Sequence, residues 1–230
     1  MRFLIWFFFL HLRIVYFFMK FNKSRNKITF ISRLSNEPSI DFKMLIKELN
    51  KDDNIKVVSL CKKMNNYISY YFHFYKQMYE ISTSKVCVID SYVPIISMLN
   101  HKKELKVLQL WHSLGAIKKF GLQNLKLDSG RNEKISKAMK MHENYTNIIT
   151  TSDETTKYFS KAFGYEKETF LNYGLPRIDY LLKGKNKIKR QIYKKYPSLT
   201  NKETIIYAPT FRRGEYSDRT EDIIDIIDFS

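Results

Sequence analysis

The chain has 230 residues, 44% hydrophobic and 27% charged, the balance of a folded domain with its own core. Its 7 Gly and 5 Pro exclude a low-complexity or loop-dominated protein. The 40 Lys and Arg against 23 Asp and Glu leave a formal net charge of +17, a field that attracts nucleic acid, anionic lipid headgroups or phosphorylated substrates without choosing among them.

Residues 3–19, FLIWFFFLHLRIVYFFM, form an apolar run broken only by His11 and Arg13. At ~1.5 Å rise per residue it just about matches a bilayer core of ~30 Å. An Arg near mid-membrane costs at least ~2.5 kcal/mol, which argues against a span. No small-residue cleavage site follows, as a secretory signal would need. Lys20, Lys23, Arg25 and Lys27 come instead, and Trp6 with the Phe cluster suits a helix lying in the headgroup region. The first 25 residues are therefore expected to be a membrane-associated segment. A buried helix is the alternative, disfavoured because the apolarity runs all round.

Beyond this segment the pattern alternates. Strands are expected at 28–32, 55–60, 86–89, 106–110, 147–151, 169–173 and 204–208. Helical spacing lies between most of them, at 39–49 (Phe42, Leu45, Ile46, Leu49) and at 153–163, preceded by Thr151-Ser-Asp-Glu154 in capping-box form. In 67–78, Tyr67, Tyr70, Tyr71, Phe74, Tyr75 and Met78 share one helical face, a core face with interfacial contact left open. Cys61 and Cys87 sit in short apolar runs with no partner at ligand spacing, which reads as two reduced thiols and suits a reducing cytoplasm. Strands alternating with helices imply an α/β fold with a mostly parallel sheet, whose ligands bind beyond the carboxyl ends of the strands.

Three strand-then-loop runs carry candidate chemistry. VLQLWHSLGAIKKFG (107–121) delivers His112 to a strand end, then Lys118 and Lys119. A histidine there suits general-base work at neutral pH, though the residues alone fit a structural histidine better. LNYGLPRIDYLL (171–182) turns at Gly174 and Pro176 and opens a helix with Arg177, either a phosphate clamp or the partner of Asp179 or another carboxylate. TIIYAPTFRR (204–213) offers Thr210, Arg212 and Arg213 at one loop, which suits a diphosphate. The block 183–195 is basic throughout, a solvated helix face, a linker or an anionic-membrane contact. Residues 215–228 turn acidic. Nothing calls for a cofactor or a metal, and no nucleic-acid-binding module is recognisable.

WHSLGAIKKFG, TSDETTKYFSKAFGYEKETFLNYGLPRIDYLL and IIYAPTFRR, in this order, resemble three blocks of the CDP-glycerol glycerophosphotransferase family. NKITFISRLSNEPSIDFKMLIKEL and KVCVIDSY resemble its opening strands, and the W-H-x-x-G-A-x-K form is closer to its teichoic-acid primase branch. The resemblance implies a GT-B-like architecture: a Rossmann-like acceptor domain over 26–185, a basic linker or helix over 186–202, and the start of a second, donor-binding Rossmann-like domain over 203–230. The family's second domain is longer than this, so the chain is expected to be cut short. The implied reaction moves glycerol phosphate from CDP-glycerol to an undecaprenyl-diphosphate-linked acceptor at the cytoplasmic face of a Gram-positive plasma membrane. Ribitol phosphate is the alternative unit, and a non-catalytic membrane-binding remnant the alternative role. By the same resemblance His112 is the catalytic base, and Lys118, Arg177, Thr210 and Arg212 hold substrate or phosphate.

Overall fold

The structure is a computed structural model that describes residues 2–125 and 132–206. Its centre is a six-stranded, all-parallel sheet of β1 (Lys27–Ser32), β2 (Lys56–Cys61), β3 (Val86–Ile89), β4 (Lys106–Gln109), β5 (Asn147–Ile149) and β6 (Phe170–Leu171), in the order β2-β1-β3-β4-β5-β6. The helices are α1 (Arg2–Met19), α2 (Ile40–Leu49), α3 (Tyr67–Ser82), α4 (Pro94–Met98), α5 (Glu133–Ala138), α6 (Asp153–Phe163) and α7 (Pro176–Lys195). The chain forms two compact units, Met1–Lys183, which contains the whole sheet, and Gly184–Ser230.

Successive strand residues serve opposite faces, so each strand supplies two cores. Ile31, Ile89, Val107 and Ile148 join Leu12 and Tyr16 of α1, Tyr70 and Met78 of α3, and Phe159 and Phe163 of α6. Phe30, Val88, Leu110 and Ile149 meet Phe42 of α2 and Leu175 on the other side. A sheet covered on both faces explains why its strands read as continuous apolar runs. The strand order reverses between β1 and β3, and in open parallel sheets the crevice at such a switch point is where ligands bind.

Six of the seven expected strands form, within a few residues of their expected limits. The seventh lies largely outside the described residues, and residues 204–206 have no regular structure. α6 is capped by Ser152, whose hydroxyl accepts from the Thr155 N–H, so the cap falls one residue after the Thr151 of the capping-box reading.

The N-terminal helix departs most from expectation. Phe9, Leu12 and Tyr16 are buried in the main core, while Phe7, Ile14, Phe17 and Phe18 stay exposed. Polar ties fix the inner face: the Tyr16 hydroxyl meets His101 Nδ1 at 2.8 Å, and His11 Nε2 lies 2.9 Å from the hydroxyls of both Tyr71 and Tyr75. All-round apolarity thus reflects two different surroundings, one face in the core and the other outward. Among the described residues, no helix is long and apolar enough to cross a membrane.

Candidate functional site

The carboxyl ends of β1, β3 and β4 converge on one edge of the sheet. β4 ends at Gln109, whose buried side-chain amide bridges outward: its Oε1 accepts from the Trp111 N–H at 2.8 Å, and its Nε2 donates to the Ser91 carbonyl at 3.3 Å. That grip turns the chain sharply, with Trp111 in the left-handed region at φ 60°. A non-glycine residue there costs roughly 1–2 kcal/mol. Packing offsets it, because the indole stacks on Phe120 at 4.8 Å and meets Phe163 edge-on at 5.2 Å.

His112 follows this turn, at the carboxyl end of a central strand as its sequence position implies. Its Nδ1 lies 3.0 Å from the backbone carbonyl of Asp90 at the end of β3. A carbonyl only accepts, so Nδ1 carries the proton and Nε2 carries the lone pair. Partial burial lowers the His112 pKa below the ordinary histidine value; the Asp90 carbonyl opposes this and the Arg177 charge adds to it. The imidazole is therefore neutral at neutral pH. It lines a cavity of about 370 Å³ together with Arg33, Ser91, Tyr92, Trp111 and His142.

Arg177 opens α7 as expected, and it is engaged within the protein. Its guanidinium forms an ion pair with Asp41 in the first turn of α2, with Nε 2.6 Å from Oδ2. Asp41 Oδ1 also accepts from the Arg177 backbone N–H at 2.8 Å, so one buried carboxylate caps the start of α7 and neutralises its arginine. The remaining Nη1 donates to the His112 carbonyl at 3.1 Å. Of the two readings of Arg177, the ion pair is the one formed, with Asp41 as its partner. Asp179 pairs instead with Lys183 at 2.7 Å.

Nothing local in the sequence marks Asp41, since an acid in a first helical turn reads as routine dipole compensation. Asp90 is a second functional candidate that the sequence hid inside an apolar strand run. Its carboxylate is buried, and among the described residues neither oxygen accepts a hydrogen bond of ordinary geometry. Burial raises its pKa to about 6, offset in part by the Ser32 and Ser91 hydroxyls and by the Arg177 charge. Gly174 takes φ 74° at the turn before α7, as that turn required of a glycine. Gly121, at φ 58°, has no room for a side chain, because a Cβ would stand 2.2 Å from the Ala162 carbonyl oxygen.

Lys118 is exposed in the loop after His112, and the structure does not bring it to Arg177 through any hydrogen bond or ion pair. Thr210 and Arg212 lie outside the described residues. Among the described residues, no three His, Cys, Asp or Glu side chains cluster as a metal site.

Comparison with known proteins places this geometry in a family. Residues 13–229 match the model of the CDP-Glycerol:Poly(glycerophosphate) glycerophosphotransferase family. The chain is 32% identical over 198 residues to a teichoic acid poly(ribitol-phosphate) polymerase of Bacillus spizizenii, covering 85% of this chain and 29% of that protein. It is 28% identical over 193 residues to a teichoic acid ribitol-phosphate primase of the same organism, covering 81% of this chain and 50% of that one. A teichoic acid glycerol-phosphate primase of Bacillus subtilis is 33% identical over 141 residues, 61% of this chain and 36% of its own length. The chain thus spans half or less of these relatives. The solved structure of the wall teichoic acid polymerase TagF shares the fold, with a TM-score of 0.63 at 21% identity, over 86% of this chain and 50% of that one. With two thirds of the chain exceeded by the family match, it belongs to the CDP-Glycerol:Poly(glycerophosphate) glycerophosphotransferase family.

Proposed function

We propose that the chain is the acceptor-side unit of an enzyme that transfers glycerol phosphate from CDP-glycerol to a lipid-linked acceptor in teichoic-acid-type polymer synthesis. The observation that carries this is His112: neutral, tautomer fixed by the Asp90 carbonyl, and set in a cavity at the ligand-binding edge of the sheet. An acceptor hydroxyl gives its proton to Nε2 as its oxygen attacks the glycerol-side phosphorus of the donor. The new O–P bond forms as the bond to CMP breaks, and CMP leaves with the electron pair. Arg177 acts here through the loop, holding the His112 backbone, rather than on a phosphate. Lys118, Thr210 and Arg212 are the groups left to meet the donor phosphates.

Ribitol phosphate is the second reading, favoured by the ribitol-phosphate primase and polymerase among the relatives. CMP release measured side by side from CDP-glycerol and CDP-ribitol, with a lipid-linked acceptor, separates the two. In the same assay, run on the enzyme that includes this unit, His112→Ala is expected to lower turnover ~10²–10⁴-fold with thermal stability nearly unchanged. Full turnover by a folded His112→Ala protein would remove the base assignment.

The setting we propose is the cytoplasmic face of the plasma membrane, with attachment through the outer face of α1. Support comes from Phe17, Phe18 and Phe21, 54%, 65% and 75% exposed, beside Lys20, Lys23 and Arg25. Apolar rings next to cations suit an anionic headgroup layer.

A further inference from the structure

A second cavity opens on the same edge of the sheet as His112 but at its far side, where β2 ends. It measures about 520 Å³ and lies between the end of that strand and α3. Ser69, Phe72, His73 and Lys76 line it from α3, at spacings i, i+3, i+4 and i+7, so they form one stripe. Tyr70, Phe74 and Met78 occupy the core face of the same helix. Lys62 closes the cavity from the strand side and donates to the Ser69 hydroxyl at 2.6 Å and the Ser69 carbonyl at 3.1 Å.

Among the described residues, no carboxylate lines this cavity, and neither Lys62 nor Lys76 forms a salt bridge. Glu80, the sole acid on α3, is taken by Lys27 at 2.5 Å. His73 Nε2 is buried and has no hydrogen-bond partner among the described residues. Burial, with Lys62 and Lys76 adding to it, lowers the His73 pKa to about 4, so the ring is neutral at pH 7. Lys62, Lys76, the His73 ring and the Ser69 hydroxyl thus line one concavity. An anion with several acceptor oxygens satisfies all of them at once.

We propose that this cavity binds the phosphate group of a lipid, with Lys62 and Lys76 neutralising it and His73 Nε2 donating to it. The apolar part of the ligand is argued from Ile68 and Phe72, 73% and 66% exposed on α3 beside the cavity. Two sources share this chemistry, the diphosphate of a polyprenyl-linked acceptor and the headgroup of an anionic phospholipid. The first rests on the function proposed above and gives the cavity a role in it. β2 stands three strand positions from β4, roughly 14 Å at ~4.8 Å per strand. An acceptor anchored there by its diphosphate can extend its far hydroxyl along the edge to His112.

The test is an NMR titration of the imidazoles of the chain's five histidines, with sodium pyrophosphate as the probe. Pyrophosphate is expected to raise the His73 pKa by a unit or more while leaving His101 unmoved. Lys62→Ala/Lys76→Ala should weaken pyrophosphate binding at least tenfold, and Lys187→Ala/Lys189→Ala, which removes equal charge, should not. An unmoved His73, or equal affinity in the Lys62/Lys76 variant, overturns the proposal. Neutral vesicles doped with a polyprenyl diphosphate, compared with phosphatidylglycerol vesicles, identify the source. Affinity lost only on the first assigns the acceptor, lost only on the second assigns the phospholipid, and kept on both overturns the site. None of these readouts needs catalysis. A complete enzyme that contains this chain, inactive on both donors while His73 still responds, would sink the transferase reading and keep the cavity.

Discussion

At the scale of single residues, the site rests on two buried carboxylates with opposite tasks. Asp41 forms an ion pair with Arg177, and removing its charge leaves a guanidinium with no counterpart. Asp41→Asn is expected to destabilise the fold by about 3 kcal/mol in denaturant titrations. Arg177→Lys keeps the charge but loses the forked geometry that also reaches the His112 carbonyl. It should lower kcat with little change in KM, whereas a direct phosphate ligand would raise KM for the donor. Asp90 behaves in the reverse sense. Its folded pKa, about 6, stands above the ordinary carboxylate value of 3.8, so the folded state holds the proton more tightly and stability falls as pH rises from about 4 through 6. Asp90→Asn mimics the protonated form. It should be more stable than the parent above pH 7, by up to about 3 kcal/mol, with the gap closing near pH 4. A gap that is constant with pH would show that Asp90 does not titrate in that window.

At the scale of elements, α1 is structural before it is anything else. Leu12 is wholly buried in the main core, and Tyr16 is tied to His101, whose Nε2 in turn meets the Ile96 carbonyl at 2.8 Å. Leu12→Ala should cost ~2–5 kcal/mol, the range for a truncated core leucine. Deleting residues 2–20 should therefore yield a protein that unfolds or aggregates, rather than a folded one merely released from membranes. Circular dichroism and thermal melts of the two variants check this. A deletion mutant that melts like the parent would mean that the core does not depend on α1.

At the scale of the whole molecule, charge and exposed apolar surface act together. The formal charge of +17 draws the chain towards anionic surfaces, but screening by salt weakens that attraction, whereas ring insertion persists. Phe17→Ser/Phe18→Ser/Phe21→Ser removes rings that do not support the core. It should abolish most flotation with phosphatidylglycerol vesicles at high salt and leave the melting temperature within a few degrees of the parent. Unchanged flotation would place the attachment elsewhere, with the basic stretch of α7 the next surface to vary.

The alternation of apolar runs, turns and helical spacings determined the α/β class, six strands and the position of His112, because buried parallel strands and capped helices leave local marks. The motif runs likewise carried the family. What the sequence left open needed contacts distant along the chain. Asp41 and Arg177 stand 136 residues apart and meet only because α2 and α7 begin at the same edge. His112 has its tautomer fixed by a carbonyl 22 residues earlier. α1 reads as uniformly apolar, and only packing against α3 and the sheet divides it into a buried face and an outward one. Local propensity records what a segment prefers, whereas a hydrogen-bond partner or a half-buried surface exists only once the sheet has brought its strand ends together.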